Sequence, residues 1–136
     1  FRLRRWEAKE GFPSKFELCF KGPKEIIDGM KVREEIETTV EDADLFQTMM
    51  FRLGYEIPLD NDKRRRSYKF GDVHVDIDEY PKVPAYMEIE ASSKKEIDQA
   101  MEQLEIKNCE VSAETANELF ARLYPEIDFD HLKFNA

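Results

Sequence analysis

The sequence has little cysteine and no long apolar run, and both shortages limit what the protein can be. Its 136 residues include two cysteines, Cys19 and Cys109, which are too few for a disulfide framework. We therefore expect free thiols in a reducing compartment, the cytoplasm. No stretch of about 18 apolar residues occurs, and no secretory signal peptide is recognisable, so neither a membrane span nor a membrane partner is expected.

Positive charge is also in deficit. Lysine and arginine total 21 against 30 aspartates and glutamates, which gives a formal net charge of −9. An acidic chain is a poor general binder of nucleic acid, so no nucleic-acid partner is expected. Any polyanion that the protein binds must instead meet a local basic cluster or metal ions.

The length fits a single domain, and the 41% of apolar residues is enough for one core. Charged residues make up 38% of the chain, above the roughly 25% of typical globular domains. The excess must line a surface, and that surface can be internal. The chain opens on Phe1-Arg2-Leu3-Arg4 rather than on methionine, which reads as the middle of a strand. We expect sequence upstream of it.

Hydrophobic periodicity and turn residues predict six strands and at least three helices. The strands are expected at residues 1–7, 15–21, 31–40, 63–70, 73–80 and 85–91, with the fourth and fifth paired as a hairpin. A first helix should begin at Asp42 or Asp44 and end at Gly54. A second should run from a Ser92 or Ser93 cap to Leu104, and a third over residues 113–123 with Ser112 as N-cap. Three apolar residues of the tail should pack against the body: Phe129, Leu132 and Phe134.

Charged and apolar side chains alternate along most of the predicted strands. Successive side chains of a strand point to opposite faces, so each strand gains one apolar and one charged face. The charged faces are Lys31, Arg33, Glu35 and Glu37 in the third strand, His74, Asp76 and Asp78 in the fifth, and Tyr86, Glu88 and Glu90 in the sixth. An open antiparallel sheet with a solvated face would produce this pattern. A closed barrel with a polar interior and flanking helices would produce it too.

Two details favour the barrel, in the α+β class. The charges keep strict i, i+2 spacing through the strand centres, and cations and carboxylates segregate onto different strands. Arginine and lysine clusters hold phosphate oxygens, and carboxylate clusters hold hard cations such as Mg²⁺ or Mn²⁺. A cavity with both suits a metal–polyphosphate complex, because phosphoryl transfer depends mainly on positioning and charge stabilisation.

Seven short motifs, taken in order, resemble the CYTH domain, the triphosphate tunnel metalloenzyme family. They are Arg2-Leu3-Arg4, the run Phe16 to Pro23, Arg33-Glu34-Glu35-Ile36-Glu37, Leu53-Gly54-Tyr55, the run Lys63 to Tyr68, Val75-Asp76-Ile77-Asp78, and Tyr86-Met87-Glu88-Ile89-Glu90. The resemblance covers almost the whole chain. It is nearest to the class IV adenylyl cyclase-like branch.

The resemblance implies an eight-stranded antiparallel barrel that forms a tunnel, and it implies roles for particular residues. Phosphate would be bound by Arg2, Arg4, Lys21, Arg33, Lys63 and Arg65. Mg²⁺ or Mn²⁺ would be held or positioned by Glu35, Glu37, Asp78, Glu88 and Glu90, with Asp76 a less specific candidate. Lys63, Arg65 and Asp78 would take part in catalysis.

The sequence departs from the family at one point. The Glu-x-Glu-x-Lys strand that defines the family's N-terminus is absent, together with the helix and strand that follow it. Six strands are too few for the family's barrel, so residues 1–136 are interpreted as one N-terminally truncated domain. Either missing sequence or a partner chain, as in a homodimer, would close it.

Three functions stay open at this point. The leading hypothesis is an adenylyl cyclase-like enzyme that converts ATP to cyclic AMP and pyrophosphate. The second is a triphosphatase for inorganic, thiamine or nucleoside triphosphate, in which water replaces the ribose hydroxyl. The third is a non-catalytic polyphosphate-binding module.

Overall fold

A computed structural model describes residues 1–134. Eight strands and three helices lie in this range. In chain order they are β1 (Arg2–Trp6), β2 (Lys15–Lys21), β3 (Glu25–Ile27), β4 (Met30–Val32), β5 (Glu35–Val40), α1 (Ala43–Arg52), β6 (Arg64–Phe70), β7 (Val73–Glu79), β8 (Tyr86–Glu90), α2 (Lys94–Gln103) and α3 (Ala116–Leu123).

The strands of residues 1–134 form three separate sheets, ordered β1-β2-β5, β3-β4 and β6-β7-β8. Both three-stranded sheets are antiparallel throughout. The predicted α+β class with antiparallel sheets is therefore confirmed. Closure into a barrel is not confirmed, because the strand pairings leave edges on each sheet.

The chain divides into two compact units. One consists of Phe1–Ile27 with Lys31–Ile57, and it contains the β1-β2-β5 sheet and α1. The other consists of Asp28–Met30 with the chain from Pro58 onward, and it contains the β6-β7-β8 sheet, α2 and α3. No helix in residues 1–134 is long and apolar enough to cross a membrane.

The prediction of one strand over residues 31–40 was wrong, because the chain forms β4 and then β5 with a break at residues 33–34. β3 and β4 make a hairpin that turns at Asp28 and Gly29, whose φ angles are +51° and +78°. An Asp-Gly pair is a strong hairpin signal, since both residues tolerate this left-handed backbone. The Gly22 backbone N–H donates to the Glu34 carbonyl at 2.9 Å, so the chain before β3 is hydrogen-bonded to the chain after β4.

The helix starts follow side-chain caps. Asp42 caps α1 by accepting from the Leu45 N–H at 2.8 Å, and Ser93 caps α2, as predicted. The predicted Ser112 cap of α3 was wrong. The helix begins after Thr115, which forms a reciprocal capping box with Glu118. A capping box satisfies two orphan backbone donors at once, so it prevails over a lone serine upstream.

The apolar face of the β6-β7-β8 sheet packs against α2. Val73 and Val75 of β7 form a buried cluster with Ala100, flanked by Ile89 and Ala91. The opposite face of the same strands carries the polar side chains, so this packing fixes which way they point. In the tail Leu132 is buried, which agrees with the expected packing of that segment.

Candidate functional site on two polar sheet faces

The β1-β2-β5 sheet presents a continuous polar face. Its register places Arg2 opposite Cys19, Cys19 opposite Glu37, and Lys21 opposite Glu35. Side chains of directly opposed residues lie on the same face and within reach of each other. The sheet thus brings together residues that are up to 35 positions apart in the chain.

Two cations surround Glu35. The Lys21 ammonium forms a short ion pair with its carboxylate, and Arg33 Nε donates to the same oxygen at 2.9 Å. Burial alone would raise the pKa of Glu35, but the hydrogen bonds from Lys21 and Arg33 outweigh it and lower that pKa to about 2. Glu35 is therefore a carboxylate at any physiological pH. Arg33 reaches it from the break between β4 and β5.

Two of the three arginines of β1, Arg2 and Arg4, lie on this face as well. Arg4 pairs with Glu17 at 3.5 Å, and its guanidinium lies 4.9 Å from the centre of the Trp6 ring. The Nε of Arg2 is buried and has no hydrogen-bond partner in the structure. A buried donor without an acceptor is costly, and a guanidinium is shaped to receive phosphate oxygens. The orphaned donor therefore fits an anion at this position.

Cys19 lies at the centre of the face and is fully buried. Its Sγ and one carboxylate oxygen each of Glu35 and Glu37 lie within 4.8 Å of one another. Burial raises the pKa of the Cys19 thiol, so the donors at neutral pH are the two carboxylates. Carboxylate oxygens are ligands that hard divalent cations accept. Cys19 was not among the predicted site residues. Its position between Glu17 and Lys21 at i, i+2 spacing was the available signal.

The β6-β7-β8 sheet has a second polar face. The register sets Arg65 opposite Asp78, and Asp78 opposite Tyr86. One step along the ladder, Asp76 lies opposite Glu88. Lys63, one residue ahead of β6, completes the set.

Asp78 is the centre of this second cluster. It is fully buried, and it accepts hydrogen bonds from Lys63 Nζ at 2.7 Å and from Arg65 Nε and Nη2, both at 2.6 Å. Burial would raise the pKa of Asp78, yet these bonds lower it below its ordinary value. The Arg65 contact is bidentate, the strongest geometry for an arginine–carboxylate pair.

Arg65 links three carboxylates. Besides Asp78, its guanidinium forms an ion pair with Asp76 and another with Glu88 at 2.6 Å. Its pKa is raised, since the hydrogen bond to Asp78 and the surrounding negative charges outweigh its burial. The side chain is therefore held in one orientation from three sides.

Tyr86 adds a hydroxyl to the cluster. Its oxygen lies 3.3 Å from Asp78 Oδ2 and 3.4 Å from Glu88 Oε1. Burial raises the pKa of Tyr86, so the hydroxyl stays protonated and donates to the carboxylates. The sequence placed Tyr86 on the charged face without giving it a role, because its partners are set by cross-strand register.

Most of the predicted site residues fall into these two clusters. The first sheet brings together Arg2, Arg4, Lys21, Arg33, Glu35 and Glu37, and the second brings together Lys63, Arg65, Asp78 and Glu88. Glu90 is exposed at the end of β8, opposite His74. Lys31, expected on the same face as Arg33 and Glu35, lies instead in β4 of the small hairpin.

The two faces differ in charge. On the first, five cations (Arg2, Arg4, Lys15, Lys21, Arg33) accompany three carboxylates (Glu17, Glu35, Glu37). On the second, three cations (Lys63, Arg65, Lys69) accompany four carboxylates (Asp76, Asp78, Glu88, Glu90). The first face therefore has the chemistry of an anion site, and the second is richer in oxygen donors for cations.

These sheets are dense in guanidinium, ammonium and carboxylate groups, whose chemistry fits phosphate oxygens and hard cations. The sequence profile of the CYTH domain matches residues 1–120, a range that includes both polar faces. The chain belongs to the CYTH domain family, whose members are triphosphate tunnel metalloenzymes, mostly cyclases or triphosphatases. The predicted family is confirmed. Comparison with curated proteins gave no significant match.

Proposed function

We propose that the protein is a metal-dependent enzyme that acts on a triphosphate, and that its leading reaction is the adenylyl cyclase-like conversion of ATP to cyclic AMP and pyrophosphate. The observation that supports this proposal is the unequal charge of the two polar faces. A family of triphosphate enzymes needs cations for phosphate oxygens and carboxylates for a divalent metal. Residues 1–134 carry both, on separate sheets.

The proposed phosphate ligands are Arg2, Arg4, Lys21, Arg33, Lys63 and Arg65. Arg2 is best supported, because its buried Nε has no hydrogen-bond partner within residues 1–134 and would gain one from a phosphate oxygen. Lys21 and Arg33 are already paired with Glu35. To bind phosphate, each of these cations must either contact a phosphate oxygen in addition to Glu35 or exchange Glu35 for that oxygen.

The carboxylates fit Mg²⁺ or Mn²⁺ as the cofactor, because these ions prefer oxygen ligands. On the first sheet Glu35 and Glu37 would hold such an ion, since their carboxylate oxygens lie within 4.8 Å of each other. On the second sheet the proposed ligands are Glu88 and Glu90. A bound divalent cation offsets phosphate charge and makes a nearby hydroxyl or water more acidic. Both oxygens of Asp78 are engaged by Lys63 and Arg65, which favours a positioning role for Asp78.

In the cyclase reaction the ribose 3′-oxygen would bond to the α-phosphorus as the bond to pyrophosphate breaks and the hydroxyl proton leaves. Negative charge then grows on the departing pyrophosphate. Lys63 and Arg65 would stabilise this charge, and Asp78 would hold both side chains in position.

Since the matched range includes both compact units, we propose that they are parts of one CYTH domain. The closed tunnel and the homodimer stay predictions.

Two alternatives use the same side chains. In a triphosphatase, water would attack in place of the ribose hydroxyl and the products would be a diphosphate and phosphate. In a non-catalytic module, the cationic face would bind a polyphosphate without turnover. Residues that bind phosphate are common to all three, so the products decide among them.

The test is product analysis with ATP and Mn²⁺, compared with Glu88→Gln and Glu90→Gln variants. Cyclic AMP and pyrophosphate are expected, with a loss of about 100-fold or more in each variant. Glu102→Gln on the exposed side of α2 is the matched control and should keep full activity. ADP and phosphate would establish the triphosphatase instead. Tight binding of tripolyphosphate without metal and without turnover would establish the binding module.

A further inference from the structure

We propose that residues 128–134 form a C-terminal clasp that positions Lys63 within the Lys63–Arg65–Asp78 cluster. The clasp lies beyond the range matched by the CYTH domain, which ends at residue 120. The inference rests on the proposed function for the role of Lys63 in phosphate binding. Its structural part stands on contacts within one compact unit.

The clasp binds the backbone just ahead of β6. The N–H of Asp60 donates to the Asp130 carbonyl and the N–H of Asp62 donates to the Leu132 carbonyl, both at 2.7 Å. The N–H of Leu132 donates back to Asn61 Oδ1 at 2.7 Å. Alternate residues of one segment thus bond alternate residues of the other, as in a short strand pair.

Side chains hold the same two segments together. Asp62 Oδ2 accepts from the Phe134 N–H at 3.1 Å, and the Arg64 guanidinium lies 3.9 Å from the centre of the Phe134 ring. The Leu132 side chain is 2% exposed, so it anchors the clasp in the core of the unit. The ion pairs of Lys133 with Asp60 and Asp62 are solvent-exposed and contribute little to the stability of the clasp.

The hydrogen bonds of the clasp end one residue before Lys63, and the Arg64–Phe134 contact follows one residue after it. Residues 60–62 lie outside every strand of the described chain, and bonds to the clasp fix their backbone. Lys63 then reaches Asp78 at 2.7 Å. Ordering a long lysine side chain costs conformational entropy. When the backbone at its Cα is already fixed, the side chain has fewer arrangements to lose on reaching Asp78. The clasp supplies that constraint.

The same tail reaches the cluster by a second route. Phe129 stacks on Phe120 with ring centres 4.7 Å apart, and Phe120 meets Tyr86 edge-on at 5.5 Å. Tyr86 places its hydroxyl at Asp78 and Glu88. The tail therefore connects to Asp78, the partner of Lys63, through Phe120 and Tyr86, and it also bonds the backbone just ahead of Lys63. A segment that served only to cover the core would need neither arrangement.

The central variant is Leu132→Ala, which removes the buried anchor. Two readouts are measured: the affinity for tripolyphosphate by calorimetry, and the mobility of the Lys63 side chain by NMR relaxation of ¹³C-labelled lysine. In the intact protein the Lys63 ammonium is bonded to Asp78 at 2.7 Å, which restrains the side chain. Release of the clasp should increase the mobility of Lys63 and weaken affinity by about tenfold, in the range typical of lost supporting contacts.

Two controls separate positioning from stability. His131→Ala alters an exposed neighbour within the clasp and should change neither readout. Val73→Ala opens the buried cluster under α2, away from the clasp, and should lower the stability while leaving the mobility of Lys63 and the affinity unchanged. If Leu132→Ala does not fold, Asn61→Ala removes one acceptor of the clasp and serves instead.

The outcomes are distinct. A folded Leu132→Ala protein with unchanged mobility of the Lys63 side chain overturns the clasp, whatever happens to affinity. Increased mobility with unchanged affinity overturns the link to phosphate binding. If the wild-type protein does not bind tripolyphosphate at all, the proposed function fails, but the mobility of Lys63 still tests the clasp.

Discussion

At the scale of single residues, the cations around the carboxylates of the two faces lower the pKa values of those carboxylates. Glu35 has Lys21 and Arg33 as partners, and Asp78 has Lys63 and Arg65. In both cases burial opposes ionisation and the paired cations overcome it. Asp78 is fully buried, so removing one of its cations leaves an uncompensated charge, and its network should respond strongly to single substitutions.

The pH dependence of Glu35 is a direct prediction. Its pKa is about 2 in the folded protein against an ordinary value of 4.5. A folded pKa below the unfolded one gives stability that is complete above 4.5 and is lost as the pH falls toward 2. The wild-type protein should therefore be more stable than Glu35→Gln at neutral pH. This difference in stability should shrink as the pH falls from 4.5 toward 2.

Urea unfolding of both proteins across that pH range measures the gap. Lys21→Met is the control, because it removes one of the cations that lower the Glu35 pKa and should move the loss of stability to higher pH. A gap between wild type and Glu35→Gln that is constant with pH would contradict the assignment.

At the scale of elements, α3 connects local capping to the polar cluster. Thr115 and Glu118 form the capping box at its start, with the Thr115 N–H donating to Glu118 at 2.7 Å. One turn further on, Phe120 is buried and contacts the rings of Tyr80 and Tyr86. The cap therefore stabilises the helix that carries Phe120. The Phe120 ring packs against Tyr86, whose hydroxyl lies at Asp78 and Glu88.

We expect Thr115→Ala to lower the free energy of unfolding by about 1 kcal/mol, the typical cost of a lost N-cap. Ser112→Ala is the matched control. In the part of the chain that the structure describes, its hydroxyl bonds Glu114 ahead of the helix rather than a helix N–H, so its loss should cost less. Urea unfolding measures both. Equal costs for the two variants would argue that the helix begins earlier, at the serine.

At the scale of the whole molecule, the charge pattern combines an acidic chain with a locally basic face. The formal net charge is −9, yet the β1-β2-β5 face carries more cations than carboxylates. The overall field therefore repels a triphosphate, and only the local face and bound cations attract it. A divalent metal should accordingly matter for affinity.

A ligand that binds only the folded protein stabilises it by mass action. Tripolyphosphate with Mg²⁺, at about 100 times its dissociation constant, should add roughly 2.7 kcal/mol to the free energy of unfolding. Thermal unfolding with and without the pair measures this, and Mg²⁺ alone and tripolyphosphate alone should each give less. Sulfate at equal ionic strength is the control. If sulfate raises the midpoint as much, binding is a general effect of anions.

The features that the sequence predicted correctly depend on local rules. Strand β2 was placed at its true bounds, and each predicted pair of cap residues for α1 and α2 includes the true cap, Asp42 or Ser93. Alternation, caps and turn residues act over a few positions and can be read without tertiary contacts. The Asp28-Gly29 hairpin was within reach of the same rules, but the long alternating run over residues 31–40 outweighed it.

By itself, the sequence determined the family, the α+β class and the faces on which the charges lie, because each of these follows from residue order and the two-residue period of a strand. The tertiary structure alone decided which charges meet. Cross-strand register gave Arg65 three carboxylates and set Cys19 beside Glu35 and Glu37. Only chain packing brought the tail to the segment before Lys63. These contacts join residues far apart in the chain, where no local spacing rule applies.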